Sequence, residues 1–264
     1  MKVNANGVEL HYEQAGTGPP LVLVHGFPLN SGIWTPQLDG LAPVARVIAP
    51  DLRGHGRSPS VPGPYSMDLF ADDIAAMLDE LHISEPIILG GLSMGGYIAF
   101  AFFRRHRKRL RALILAATRA GEDTPDGKTG RENAAAQVEA QGISPIVQGM
   151  LPKMLAPDTF LKSPSVVDQT RRIMEQNSKE SYLGDLYGMR DRPDSNATLG
   201  EIDLRTLVIH GAEDQLLPVL EAEATHAGIE GSELVVLPGS GHMLNLEQPA
   251  LFNRAVADFI SSLS

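Results

Sequence analysis

Short apolar runs recur along the chain, and each ends in a turn signal. They are "PLVLVHG" (20–26), "VARVIAPD" (44–51), "PIILGG" (86–91), "LRALILAAT" (110–118), "TLVIHG" (206–211) and "ELVVLPGSG" (233–241). Near-continuous hydrophobicity with many β-branched residues predicts parallel strands buried on both faces. Between these runs the period changes. In "SMDLFADDIAAMLDELH" a Ser66 cap precedes Met67, Phe70, Ile74, Met77, Leu78 and Leu81 on one helical stripe. In "PALFNRAVADFI" Pro249 opens a helix that repeats Phe252, Val256 and Phe259. Strands alternating with helices predict an α/β protein with an open, mostly parallel sheet covered on both faces. Residues 2–15 predict an antiparallel hairpin at the sheet edge, turning near Asn6-Gly7.

The alternation stops between 119 and 203, where no buried-strand run occurs. Amphipathic patterns over roughly 131–141, 144–155, 164–177 and 179–190 predict short helices separated by Pro and Gly. Such a stretch is too long for a simple connection. The reading is a core domain from 1–118 and 204–264, with 119–203 inserted as a helical cap.

Composition narrows the classes. A chain of 264 residues can bury a large core without disulfides or structural metal. A net charge of −10 argues against nucleic acid and anionic membrane as partners. The basic run "RRHRKRLR" (104–111) fits the solvated C-terminal end of a helix, where cations suit the dipole. The absence of cysteine excludes a disulfide scaffold, a thiolate nucleophile and cysteine-held metal. The N-terminus has no signal-peptide core, and no window approaches the ~18 apolar residues of a membrane helix. A cytoplasmic protein is expected, monomeric or a small homo-oligomer, needing no cofactor and no metal.

Chemistry enters with "GGLSMGG". Gly91-Leu92-Ser93-Met94-Gly95 matches G-x-S-x-G between a predicted strand and a predicted helix. A serine on so sharp a turn needs glycine two residues to either side, because Cβ atoms there would collide. A serine hydroxyl also needs a base. His242, in "LPGSGHMLNLEQP", follows the last strand, and Asp214, in "TLVIHGAED", follows the strand before it. The chain order Ser93, Asp214, His242 suits acyl transfer, with Asp185 and Asp191 as alternative acids. Two backbone N–H groups are candidates to hold the oxyanion: Met94 after the nucleophile, and Phe27 in "HGFPLNSGIW". His25 is expected to support that loop by hydrogen bonds rather than to act as the base. Trp34, Met150, Leu217 and Met243 are expected to line the substrate pocket.

Taken together, "HGFPLNSGIW", "APDLRGHGRS", "GLSMGG", "GAEDQLLP" and "GSGHMLNLEQP" resemble the α/β-hydrolase superfamily, and within it the small capped carboxylesterases and 3-oxoadipate enol-lactonase-like proteins. The resemblance implies a mostly parallel eight-stranded sheet flanked by helices. It implies a Ser93–His242–Asp214 triad with Phe27 and Met94 as oxyanion donors, and a structural role for Asp51, Arg53 and His55. It also implies hydrolysis of small, short-acyl esters through an acyl-enzyme. Enol-lactone hydrolysis is the alternative and would need a cation for the substrate carboxylate, for which Arg131, Lys153, Arg171 and Arg190 are available. A non-catalytic ligand-binding receptor is the alternative of another class.

Overall fold

The computed structural model describes residues 1–263. β1 (Lys2–Ala5) and β2 (Val8–Ala15) pair antiparallel. Their turn places Asn6 and Gly7 at φ 48° and 80°, the left-handed pair that a tight hairpin requires. β3 (Pro20–Val24), β4 (Arg46–Pro50), β5 (Ile87–Leu92), β6 (Leu110–Ala116), β7 (Arg205–Gly211) and β8 (Glu233–Leu237) complete an eight-stranded sheet. Its order is β1-β2-β4-β3-β5-β6-β7-β8. β2 meets β4 antiparallel, and every pairing from β4 through β8 is parallel. Every residue of β3 and β5 is buried, as strands covered on both faces must be. β8 departs from that expectation. It is the far edge strand, with one neighbour, and Glu233–Val236 are only partly covered.

Helices occupy the connections. α1 (Thr35–Leu41) lies outside the helices that the sequence pattern predicts; it follows a 3₁₀ turn at Ser31–Trp34 that the Asn30 side chain caps. α2 (Met67–Glu80) starts where Ser66 Oγ accepts the Leu69 N–H, and it packs on α3 (Met94–His106). Between β6 and β7 the chain forms α4 (Pro125–Gln141), α5 (Ser144–Met154), α6 (Thr159–Lys162), α7 (Pro164–Glu175), α8 (Lys179–Arg190) and α9 (Asn196–Leu199). No strand lies in this stretch. α10 (Val219–Gly228), α11 (Leu244–Glu247) and α12 (Pro249–Ser262) finish the fold, and α12 packs on α1. Among the described residues, no helix is long and apolar enough to cross a membrane.

Two of the ties between the inserted helices and the sheet matter for the loops that follow β3 and β8. On one side, the Asn177 amide donates to the carbonyls of Pro28 and Leu29 at 2.8 and 3.1 Å and accepts from the Gly56 N–H. His55 Nε2 lies 2.8 Å from buried Asp185. On the other side, Glu247 accepts from the Ala156 N–H and the Thr159 hydroxyl, and its second oxygen accepts from the Gly241 N–H.

Candidate active site

Parallel strands gather their C-terminal ends at one edge, where open α/β sheets place their sites. Ser93 follows β5, His25 and Phe27 follow β3, Thr118 and Arg119 follow β6, Asp214 follows β7 and His242 follows β8. Ser93 sits at φ 57°, ψ −114°, a left-handed conformation that costs a non-glycine residue about 1–3 kcal/mol. Its neighbours make room. A Cβ on Gly91 would meet the Gly95 carbonyl, and one on Gly95 would meet the Val24 carbonyl. At Gly96 the obstacle is the Thr118 side chain, whose hydroxyl donates to the Ser93 carbonyl at 2.8 Å. Thr118 thus holds the turn from the neighbouring strand, a support invisible in the glycine pattern. Because backbone cannot step aside as a side chain can, Gly95→Ala is expected to destabilise the fold more than Gly96→Ala, which should cost about 1–3 kcal/mol. Urea midpoints of the two variants check this; an equal loss, or a larger one at Gly96, contradicts it.

Asp214 and His242 meet directly. His242 Nδ1 donates to Asp214 Oδ2 at 2.7 Å, and both side chains are buried. Asp214 Oδ1 accepts the N–H groups of Leu216 and Leu217 at 2.8 and 3.0 Å. Burial pushes the Asp214 carboxyl up, but His242 and these donors outweigh it and hold it below its ordinary value. The alternative acids lie elsewhere: Asp185 pairs with His55, and Asp191 pairs with Arg190. Among the described residues, His242 Nε2 has no hydrogen-bond partner, and neither do the N–H groups of Phe27 and Met94, although all three residues are buried. A free first-turn N–H at Met94 is ordinary for a helix start. The free N–H at Phe27 is not, because buried loop donors are nearly always paired.

Ser93 and His242 line one cavity of about 190 Å³. Phe27, Met150, Met189, Leu216 and Leu217 form its apolar wall, and Tyr97, Arg119 and Arg131 its other polar lining. Of the four side chains expected in the pocket, Met150 and Leu217 line this cavity, and Trp34 and Met243 do not. Trp34 turns inward on its 3₁₀ turn and packs on Phe252 of α12, ring centroids 6.0 Å apart, with 1% of its surface exposed. Met243 is fully buried, since consecutive side chains point apart and His242 takes the cavity side. Its N–H donates to the Met154 carbonyl. A larger groove of about 650 Å³, between Asn30 and Arg172, touches neither Ser93 nor His242. Sequence reasoning missed Arg119 and Tyr97. The position of Arg119 just beyond β6, at the same sheet edge as the other candidates, was the available signal. Of the four cations considered there, Arg131 lines the cavity, and Lys153, Arg171 and Arg190 do not.

Beneath the Phe27 loop lies a histidine pair. His25 Nδ1 donates to the Gly26 carbonyl at 3.0 Å, and its Nε2 accepts the Leu52 N–H at 3.1 Å, so the fold holds a neutral ring. Both His55 nitrogens face acceptors, Arg53 O and Asp185 Oδ2. Burial disfavours charge on His55, but Asp185 more than offsets this and raises it above its ordinary value. Burial, reinforced by neighbouring His55, pushes His25 down to about 3. Unfolded, His25 would take a proton below about pH 6.5; folded, it resists until about pH 3. Stability is therefore expected to fall with pH across that window, by about 1.4 kcal/mol per unit from this group. Urea unfolding at pH 6.5 and 4.5 should show a smaller pH slope for His25→Gln than for wild type. Equal slopes would remove His25 from the account.

The sequence matches the family described as the alpha/beta hydrolase fold over residues 19–249. The chain belongs to this family. It is 32% identical to 3-oxoadipate enol-lactonase 2 of Acinetobacter baylyi, over 96% of this chain and 94% of that one. Its structure is similar to that of a thermophilic esterase from Thermogutta terrifontis described with malate bound, with TM-score 0.97, 38% identity and coverage of 100% and 98%. It is also similar to the enol-lactonase from Burkholderia xenovorans, with TM-score 0.92, 28% identity and coverage of 99% and 100%. Relatives of this α/β-hydrolase thus include esterases and enol-lactonases, and its neighbours support hydrolase chemistry.

Proposed function

We propose that this α/β-hydrolase is a serine carboxylesterase acting on small esters. The observation that carries the reading is the Asp214–His242 pair, with His242 lining one cavity with the strained Ser93 and with Phe27, together with the unpartnered N–H groups of Phe27 and Met94. Asp214 takes the His242 Nδ1–H, which leaves Nε2 to accept the Ser93 proton. The Ser93 oxygen then bonds to the ester carbonyl carbon. Charge builds on the carbonyl oxygen, where the two free N–H groups stabilise it without reorganising. The ester C–O bond breaks, His242 protonates the departing alcohol, and an acyl-Ser93 remains. Water gives a proton to His242 as it attacks the acyl carbon; the acyl–Ser93 C–O bond then breaks, His242 returns the proton to the Ser93 oxygen, and the free acid leaves. A cavity of about 190 Å³ is not far above one that holds a single benzene ring, so the acyl group is short. The inserted helices act as a cap, giving Met150 and Met189 to the wall.

Lactone hydrolysis uses the same steps with the alcohol still tethered, and the enol-lactonase relatives favour it as the second reading. Two measurements test the proposal. Purified protein should turn over a short 4-nitrophenyl ester many times, which a ligand-binding receptor would not do. A fluorophosphonate should add once, at Ser93, and stop that turnover. Continued turnover by fully labelled protein, or an adduct at another residue, would overturn the assignment.

A further inference from the structure

The cavity carries charge that ester hydrolysis alone does not require. In a chain of net charge −10, its lining holds two arginines, Arg119 and Arg131, and no carboxylate. Both contact buried Asp123: Arg119 Nη2 donates to Oδ1 at 2.7 Å, and Arg131 Nε donates to Oδ2 at 3.0 Å. A third guanidinium, that of Arg192, lies 3.0 Å from the same Oδ1. One buried acid thus sits among three cations.

The three differ in what they have left to bind. Arg192 is buried, donates to the carbonyls of Met189 and Gly121, and lies 4.1 Å over the Tyr97 ring. It does not line the cavity; its terminal amino groups are taken up within the protein, and its Nε is buried without a partner. Arg131 spends only Nε on Asp123, and its two terminal amino groups have no partner among the described residues. Arg119 uses Nη2 on Asp123, while its Nη1 makes no hydrogen bond and stands 3.9 Å from its nearest other acid, Glu221. Both side chains keep about a quarter of their surface open, 23% and 24%, and both line the cavity that holds Ser93. Asp123 grips each arginine by one edge and leaves donors over. Burial raises the Asp123 carboxyl, but Arg131 and Arg192 outweigh it, so it remains an anion that orients its partners.

We propose that Arg119 and Arg131 bind a carboxylate on the substrate, so that the preferred esters or lactones are small and carry a free acid. Guanidinium donors arranged as a fork match a carboxylate in shape as well as charge. The small cavity puts that acid only a few bonds from the carbonyl attacked. Asp123 is the positioning residue for the pair. The inference rests on Ser93 being the residue acylated, and it adds the class of substrate.

The test compares monoethyl succinate with ethyl butanoate, two ethyl esters with four-carbon acyl groups that differ in one carboxylate. Wild type should favour the charged ester in kcat/KM by at least about 10-fold. Arg131→Gln and Arg119→Gln should each lower that preference by roughly 10- to 100-fold. Arg131→Lys should keep part of it, and Arg171→Gln, remote from the cavity, should keep all of it. Melting curves show whether each variant folds. A separate arm titrates succinate and butanoate into Ser93→Ala protein by calorimetry, with and without Arg131→Gln. Succinate should bind more tightly than butanoate, and Arg131→Gln should remove the difference. Equal use of the two esters by wild type, or an unchanged preference in both folded glutamine variants, overturns the proposal while leaving the esterase reading intact. Arg131-dependent succinate binding without turnover of either ester would sustain the carboxylate site and overturn the esterase reading instead.

Discussion

Ser93→Ala is expected to lower kcat/KM for a simple ester by on the order of 10⁵- to 10⁶-fold and to abolish fluorophosphonate labelling. The size follows from what is removed. Alanine keeps the cavity, the two free N–H groups and the His242–Asp214 pair, but it offers no oxygen to acylate. Residual rate would come from binding and oxyanion stabilisation acting on water, which is a small remainder. The methyl group fits, because the strained turn depends on Gly91, Gly95 and the Thr118 support rather than on the hydroxyl. Unfolding should be nearly unchanged, so the loss can be assigned to chemistry. A folded Ser93→Ala protein within about 100-fold of wild type would refute nucleophilic catalysis at this residue.

Asp214→Asn carries the second largest expected effect, and the hydrogen bonds around Asp214 say why. Oδ1 already accepts two N–H groups, from Leu216 and Leu217. An asparagine must therefore keep its carbonyl oxygen on that side and turn its amide NH₂ toward His242. Facing a donor, His242 Nδ1 can only accept, and its one proton moves to Nε2. That tautomer cannot take a proton from Ser93. The expected result is a fall in kcat of roughly 10³- to 10⁴-fold with little change in KM. Steady-state kinetics on a short ester measure the split. Activity within about 10-fold of wild type would place the working acid elsewhere.

Much of this architecture was legible because its signals are local. A strand, a turn and a helix read in succession placed Ser93, Asp214 and His242 at strand ends, and parallel strands in one sheet bring those ends to one edge. Side-chain direction was not legible. Trp34 lies in the stretch that begins with Phe27, and Met243 follows His242, yet a 3₁₀ turn rotates one onto Phe252, and chain alternation buries the other. The arginine cluster was hidden for a different reason. Arg119, Asp123 and Arg131 lie close in sequence, but Arg192 arrives from beyond α8, and no local pattern reports that pairing. Arg131 was one of four cations on equal terms until the packing of the inserted helices separated them.

The two anchorages of those helices bear on how this α/β-hydrolase could be re-engineered. Exchanging the 119–203 segment for that of a relative looks like a simple way to change substrate. Here the loop that supplies the Phe27 N–H is held by Asn177, and the loop that carries His242 is held through Glu247 to Ala156 and Thr159. The segment to be discarded thus helps to position two parts of the proposed reaction centre. A graft succeeds as a catalyst only if the incoming segment restores both attachments. Chimeras that keep Asn177, Asp185 and Thr159 and vary the cavity-facing positions 150 and 189 would change the pocket without loosening the chemistry.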